Sequence, residues 1–211
     1  MLTAPARGQE ACNLKVGEMP VTMVGMRPIA TVGINGTQVP LLVDSGAFFS
    51  ILTDAAAAQL ELRVKRVPGD MQVYGLTGRV DARMTTVKSM QLLNVDIPIV
   101  DFLVGVNEVG GGAMGVLGRN VLSLADAEYD LAHGALRLIF PKGNCKDRNM
   151  AYWAGDRPVV EVPLRPDRNP GKPGIRATAK LNGVESFSTV APGYTCAEAR
   201  FARRLQTTSA H

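Results

Sequence analysis

Apolar and polar positions along the first two thirds of the chain alternate in short runs, broken by glycine, asparagine and proline. This is a strand pattern rather than a helical one. Residues 28–34 alternate loosely, Asn35-Gly36 marks a two-residue turn, and 37–43 return as an apolar run toward Asp44. Beyond Ser45-Gly46 the chain stays extended through 48–52. Thr53 then stands as the N-cap of a short helix over 55–60, with Asp54 in its first turn. Two extended arms, 71–74 and 79–84, flank Gly75-Leu76-Thr77-Gly78 and predict a hairpin with a glycine-bounded tip. Strands over 85–93 and 97–104 follow, with 94–96 as their turn. After Gly110, Gly111 and Gly112, two further glycines, Gly115 and Gly118, bracket the apolar pair Val116-Leu117, a spacing that lets one backbone pass close to another. Asn120 is placed to cap a short helix ending at Leu124. Strands over 127–131 and 135–140, turned at His133-Gly134, complete the block.

The composition changes at 141–148. Tyr152-Trp153 is expected to pack a linker onto the preceding domain, and 158–164 reads as a further strand. Residues 165–174 form a proline- and glycine-rich loop. Then the opening is echoed: Ala-Thr-Val-Gly-Ile-Asn-Gly at 30–36 returns as Ala-Thr-Ala-Lys-Leu-Asn-Gly at 177–183. An internal repeat of this kind predicts the start of a second copy of one fold. The expected organisation is a tail over 1–20, a domain over 21–141, a linker over 142–158, and a truncated, degenerate second lobe over 159–211.

Composition narrows the function classes. The 211 residues are 46% hydrophobic and 20% charged, which suits a globular chain with a real core. The 23 basic and 19 acidic residues leave a net charge of +4, spread along the chain without a basic stripe interleaved with aromatics, so nucleic acid is not an expected partner. No apolar run approaches the ~18 residues of a membrane-spanning helix. With two histidines, and three cysteines without ligand spacing, neither a metal nor another cofactor is expected. Cys12 and Cys145 bracket the most patterned part of the chain and are a candidate disulfide; the alternative is two unrelated thiols. The small, polar residues 1–11 read as a chain does just after a signal cleavage site. A periplasmic or secreted location is therefore expected, with the cytoplasm left open.

A carboxylate between two apolar runs is costly to bury unless it is paired or protonated, and Asp44 occupies such a place. The corner Asp44-Ser45-Gly46-Ala47 is followed about thirty residues later by Tyr74-Gly75-Leu76-Thr77-Gly78. About seventy residues after Asp44 comes Val116-Leu117-Gly118-Arg119-Asn120. In this order the three segments resemble the retropepsin-like aspartic peptidases of the bacterial exported type, over roughly 26–140. The resemblance implies an all-β fold, a retropepsin-like acid-protease β-barrel with short helices, followed here by an incomplete second copy. It implies that Asp44 supplies one carboxylate of a catalytic dyad, that Ser45 holds the carboxylate rigid, and that Gly46 leaves room for its mate. Ala47 and the flap-like residues Tyr74, Gly75, Leu76, Thr77 and Gly78 would bind a polypeptide substrate as an added strand. Leu117, Gly118, Arg119 and Asn120 would support the site. Two close carboxylates share a proton, so one can activate water while the other polarises the carbonyl.

One domain carries one such aspartate. The mate must come from a second chain on a two-fold axis or from a second lobe. After Asn182-Gly183, where the repeat calls for another Asp-Ser-Gly, the chain reads Ser188-Thr189-Val190-Ala191-Pro192-Gly193. Codons for 185–191 read from the third base of each can spell Val-Phe-Leu-Asp-Ser-Gly-Ala, so a shift of frame near Val184 is one account of the missing acid. The expected function is an aspartic endopeptidase completed by a homodimer or a tandem lobe. The alternative is an inactive pseudo-peptidase that binds peptides.

Overall fold

The computed structural model describes residues 11–68, 73–75, 78–166, 175–182, 184–189 and 201–203. In chain order the first elements are β1 (Asn13–Val24), β2 (Arg27–Ile34), β3 (Thr37–Val43), β4 (Ile51–Thr53), helix α1 (Asp54–Gln59) and β5 (Lys65–Arg66). Next come β6 (Val73–Gly75), β7 (Gly78–Val80), β8 (Arg83–Leu92), β9 (Val95–Val106), β10 (Gly115–Leu117) and helix α2 (Arg119–Leu122). Strands β11 (Asp126–Asp130), β12 (Ala135–Lys142), β13 (Leu164–Pro166), β14 (Ile175–Leu181), β15 (Val184–Thr189) and β16 (Phe201–Arg203) complete the described chain.

Six strands close into a barrel in the order β2-β3-β10-β4-β9-β8, with β8 returning to β2 through Gly33 opposite Gln91 and Ile34 opposite Met90. The β3–β10 and β4–β9 pairs are parallel and the other pairs antiparallel, so the all-β expectation holds as a mixed barrel. Closure removes the open edges that such short strands would otherwise present. The alternating apolar residues supply the interior: Val32, Ile34, Val39, Leu41, Val43, Leu52, Val87, Met90, Phe102, Val104 and Leu117 are all buried. Helix α1 begins as the sequence predicts, with the Thr53 hydroxyl accepting from Ala56 N at 3.0 Å.

Outside the barrel, β12 lies between β11 and the first part of β1. Residues 13–20, expected as tail, are strand throughout and pair with β12 from Asn13 opposite Lys142 to Pro20 opposite Ala135; residues 21–24 then pair with β2. The domain thus begins before residue 21, because β12 gives this stretch a partner. Cys12, just ahead of β1, is bonded to Cys145, just beyond β12. Arg137 on β12 donates to Glu18 at 2.6 Å, Glu128 at 2.8 Å and Asp130 at 3.1 Å. Burial alone would lower the Arg137 pKa. Its hydrogen bonds to Asp130 and Glu18 and the charge of Glu128 outweigh that and push it above its ordinary value. Tyr152 donates its hydroxyl proton to the fully buried Glu128, so the segment after β12 does lie on the first domain.

Three further expectations are corrected. The turn between β8 and β9 is Leu93-Asn94 rather than 94–96. Leu92 pairs with Val95, and Leu93 takes the left-handed φ of 58° that sequence reasoning reserves for glycine or asparagine. Asn120 is not a helix cap. Gly118 occupies the N-cap of α2, and the Asn120 side chain is engaged elsewhere. Residues 158–163 are not strand, and regular structure resumes only at β13. Pro158 and Pro163 cannot donate to a ladder, and Val159, Val160 and Val162 are exposed. Strands β13, β14 and β15 form a separate three-stranded antiparallel sheet, and β16 pairs with β11.

Candidate active site

The chain leaves the barrel at the end of β3, makes the turn 44–50, and re-enters as β4. Strand β10 runs between those two strands, parallel to β3 (Leu117 opposite Val43) and antiparallel to β4 (Val116 opposite Ile51). A strand laid between two others crosses under the turn that connects them, and the turn is fastened to it by backbone hydrogen bonds. Asp44 N donates to Leu117 O at 3.0 Å, Arg119 N to Ala47 O at 2.9 Å, and Asn120 N to Phe48 O at 3.0 Å.

The crossing explains the two glycines. An ideal Cβ on Gly115 would stand 2.0 Å from the Ile51 carbonyl oxygen, and one on Gly118 would stand 2.4 Å from that of Phe49. Both obstacles are backbone held in a ladder or turn, so neither can yield cheaply. The close approach predicted from their spacing is therefore the one that seats the Asp44 turn.

Asp44 is half-buried, and its Oδ1 accepts from Gly46 N at 2.7 Å, while Ala47 N closes the turn onto Asp44 O at 3.3 Å. Among the described residues no lysine or arginine pairs with it. A partly buried acid held by a backbone donor and not by a cation is oriented without being neutralised, which suits chemistry better than packing. Ser45 is buried beside it.

Beneath the turn, the Asn120 amide joins three segments. Its Oδ1 accepts from Ser50 N at 2.7 Å and from Ser50 Oγ at 2.8 Å, and its Nδ2 donates to Asp101 O at 2.9 Å. Ser50 Oγ in turn accepts from Gly118 N at 3.0 Å. Sequence reasoning placed Asn120 at the site but assigned it to the wrong partner, and it missed Ser50 altogether. A signal existed: Ser50 is the single polar residue between Phe48-Phe49 and Ile51-Leu52, and it is fully buried. Arg119 is also buried, with its guanidinium carbon 5.4 Å from the centroid of the Phe48 ring.

The structure brings Asp44, Ser45, Gly46, Ala47, Leu117, Gly118, Arg119 and Asn120 into one assembly. Of the flap-like residues, Tyr74 and Gly75 lie on β6 and Gly78 on β7, with Tyr74 opposite Arg79 and Gly75 opposite Gly78. Leu76 and Thr77 lie outside the described residues. Among the described residues no three metal-ligating side chains are grouped, and no helix is long and apolar enough to cross a membrane.

Residues 30–124 match the family model described as "gag-polyprotein putative aspartyl protease". This span contains both Asp44 and the crossing strand. No curated protein matches the chain. Among solved structures, the EIAV protease bound to an inhibitor is 28% identical, with 48% of this chain and 90% of that one covered and a TM-score of 0.39. A retropepsin-like aspartic protease from Rickettsia conorii is 18% identical, with 64% of this chain and 98% of that one covered and a TM-score of 0.46. The family match lies over the strands of the closed barrel and the fastened Asp44 turn, so it is in residues 30–124 that the chain is similar to the aspartyl proteases of that family.

Proposed function

We propose that the chain is an aspartic endopeptidase in which Asp44 and the Asp44 of a second copy form the catalytic pair. The observation that carries this reading is the fastening of the Asp44 turn. Its backbone is tied to Leu117, Arg119 and Asn120, and its carboxylate is held by Gly46 N–H, with no cation paired to it among the described residues. Two such carboxylates brought together would share one proton, the ionised one taking a proton from water as the other donates to the scissile carbonyl. The β6–β7 hairpin would cover an extended substrate, and Ser45 would steady the paired turns. The Cys12–Cys145 bond supports an oxidising, extracytoplasmic location.

A second reading, a peptide-binding module without turnover, is favoured by the β14–β15 hairpin. The repeat continues there through Ser188-Thr189 and not through an acid. One experiment separates the two. Purified chain is incubated with an unfolded protein at acidic pH, alone and mixed with increasing Asp44→Asn chain. A homodimeric peptidase loses activity as mixed dimers accumulate, and its specific activity rises with concentration. Cleavage that is indifferent to both would sink the shared dyad. Peptide binding without any cleavage would leave the module.

A further inference from the structure

Strands β13 and β14 repeat the pairing of β1 with β2. Val21 stands opposite Ala30, Thr22 opposite Ile29 and Met23 opposite Pro28, while Leu164 stands opposite Ala177, Arg165 opposite Arg176 and Pro166 opposite Ile175. Ala30 and Ala177 open the two echoed stretches, so Leu164 is the counterpart of Val21. Counted back from that pair, Val16-Gly17-Glu18-Met19-Pro20 corresponds to Val159-Val160-Glu161-Val162-Pro163, with a valine, the glutamate and the proline kept in place. The two stretches differ in what covers them. In the first, Glu18 lies opposite Arg137 and Met19 opposite Leu136 on β12, Arg137 donates to Glu18 at 2.6 Å, and Met19 is 3% exposed. Among the described residues no strand pairs with 159–163 and no lysine or arginine pairs with Glu161. Val162 is 48% exposed and Val160 85%, and Val159 and Leu164 are exposed with them. Apolar side chains left in water in such a row forgo burial. Valine favours extended backbone, and Pro158 and Pro163 confine any added strand to the residues between them.

We propose that residues 159–163 are a docking strand for a separate polypeptide segment of β12-like chemistry: extended, with apolar side chains and an arginine that stands opposite Glu161. The first copy states the chemistry of the partner, because β12 meets the corresponding stretch as Ala135-Leu136-Arg137-Leu138-Ile139. Backbone groups between the two prolines supply hydrogen bonds to the added strand, and the valines gain burial against its apolar side chains. The Glu161 carboxylate, set against a cation, fixes the register of the pair. None of this depends on the chemistry at Asp44.

The test uses the full chain carrying Asp44→Asn, so that the probe is not cut, and a fluorescein-labelled peptide of residues 133–142. Binding is followed by fluorescence anisotropy. It should saturate, and amide hydrogen exchange over 159–162 should slow when the peptide is bound. The Arg137→Glu peptide should bind about fivefold more weakly, and Glu161→Lys in the chain should reverse that preference. Glu161 is exposed, so an unchanged thermal midpoint checks that this variant is folded. Glu18→Lys in the chain is the control. A reversal that follows Glu18→Lys instead puts the peptide on β1 and overturns the docking strand. Absence of saturable binding overturns it, as does binding indifferent to the charge at position 161. So does a chain that self-associates, is dispersed by Val160→Lys, and leaves the peptide unbound, since 159–163 then pairs with a second copy.

Discussion

The β2–β3 and β14–β15 hairpins share the lettering Ala-Thr at the start of the turn-bound strand and Asn-Gly at its end, and they share the turn itself. Asn35 and Asn182 both take a left-handed φ, 48° and 50°, and the flanking strands pair directly, Ile34 with Thr37 and Leu181 with Val184. Beyond the turn they diverge. Val39, Leu41 and Val43 on β3 are fully buried, and β3 receives β10 as a parallel neighbour before it delivers Asp44. Strand β15 ends at Thr189 on the outer side of a three-stranded sheet, and among the described residues only β14 pairs with it. The turn is local and Asn-Gly suffices for it. The seat of the carboxylate is made by a strand more than seventy residues further along, which lies beside β3, whereas among the described residues no such strand lies beside β15.

Removing the acid should have the largest effect. Asp44→Asn keeps shape and hydrogen-bonding capacity but cannot serve as base, so peptide cleavage should fall about 10³-fold or more while the thermal midpoint stays within a few degrees. A variant with near wild-type turnover would place the chemistry elsewhere and void the contrast between the hairpins.

Next in size are the glycines of the crossing. Gly115→Ala puts a methyl group into the Ile51 carbonyl, and should cost about 3 kcal/mol or more, beyond ordinary overpacking because the obstacle is backbone. In the second hairpin Asn182→Ala disturbs only a left-handed turn residue, for about 1 kcal/mol. Denaturant melts of the two variants measure the difference. Equal losses would mean that the crossing strand is no more rigid than the turn.

How much of this was legible follows from the same division between local and remote causes. Strand order along the chain, the Thr53 cap, the Asn-Gly turns and the candidate acid could be read from neighbours in sequence, because each depends on backbone preferences or short-range burial. The Gly115 and Gly118 spacing even announced a close approach. The identity of the approaching backbone was hidden, since nothing in 114–118 names Phe49 and Ile51 as its partners. Asn120 was misread as a cap for the same reason: an asparagine ahead of a short helix has a local use, and its bonds to Ser50 and Asp101 are visible only once the strands are laid side by side. Nothing local ties residues 13–20 to the domain, because their partner, β12, lies more than a hundred residues away.

A smaller effect is expected under the turn. Ser50→Ala removes the hydroxyl that accepts from Gly118 N and donates to Asn120 Oδ1, leaving a buried backbone N–H without that acceptor. The loss should be about 1–3 kcal/mol, together with a measurable drop in kcat if the same network steadies Asp44. Ser188→Ala, near the end of β15, should be nearly neutral in the same melts. If Ser50→Ala is also neutral, the Asn120 network fills space without holding the turn.

The smallest expected effect is the most direct trial of the comparison. Thr189→Asp places a carboxylate at the end of β15, close to where the repeat calls for one. Combined with Asp44→Asn it should restore no cleavage, because among the described residues no strand lies beside β15 to supply a counterpart of the Leu117 O that receives Asp44. An acid that is merely present near a hairpin end stays hydrated and mobile, and catalysis needs it held to within a fraction of an ångström. Recovery of even a small, Asp-dependent rate in the double variant, measured with the same unfolded substrate, would show that the second hairpin can build a seat of its own. The separation of turn from seat would then no longer distinguish the two.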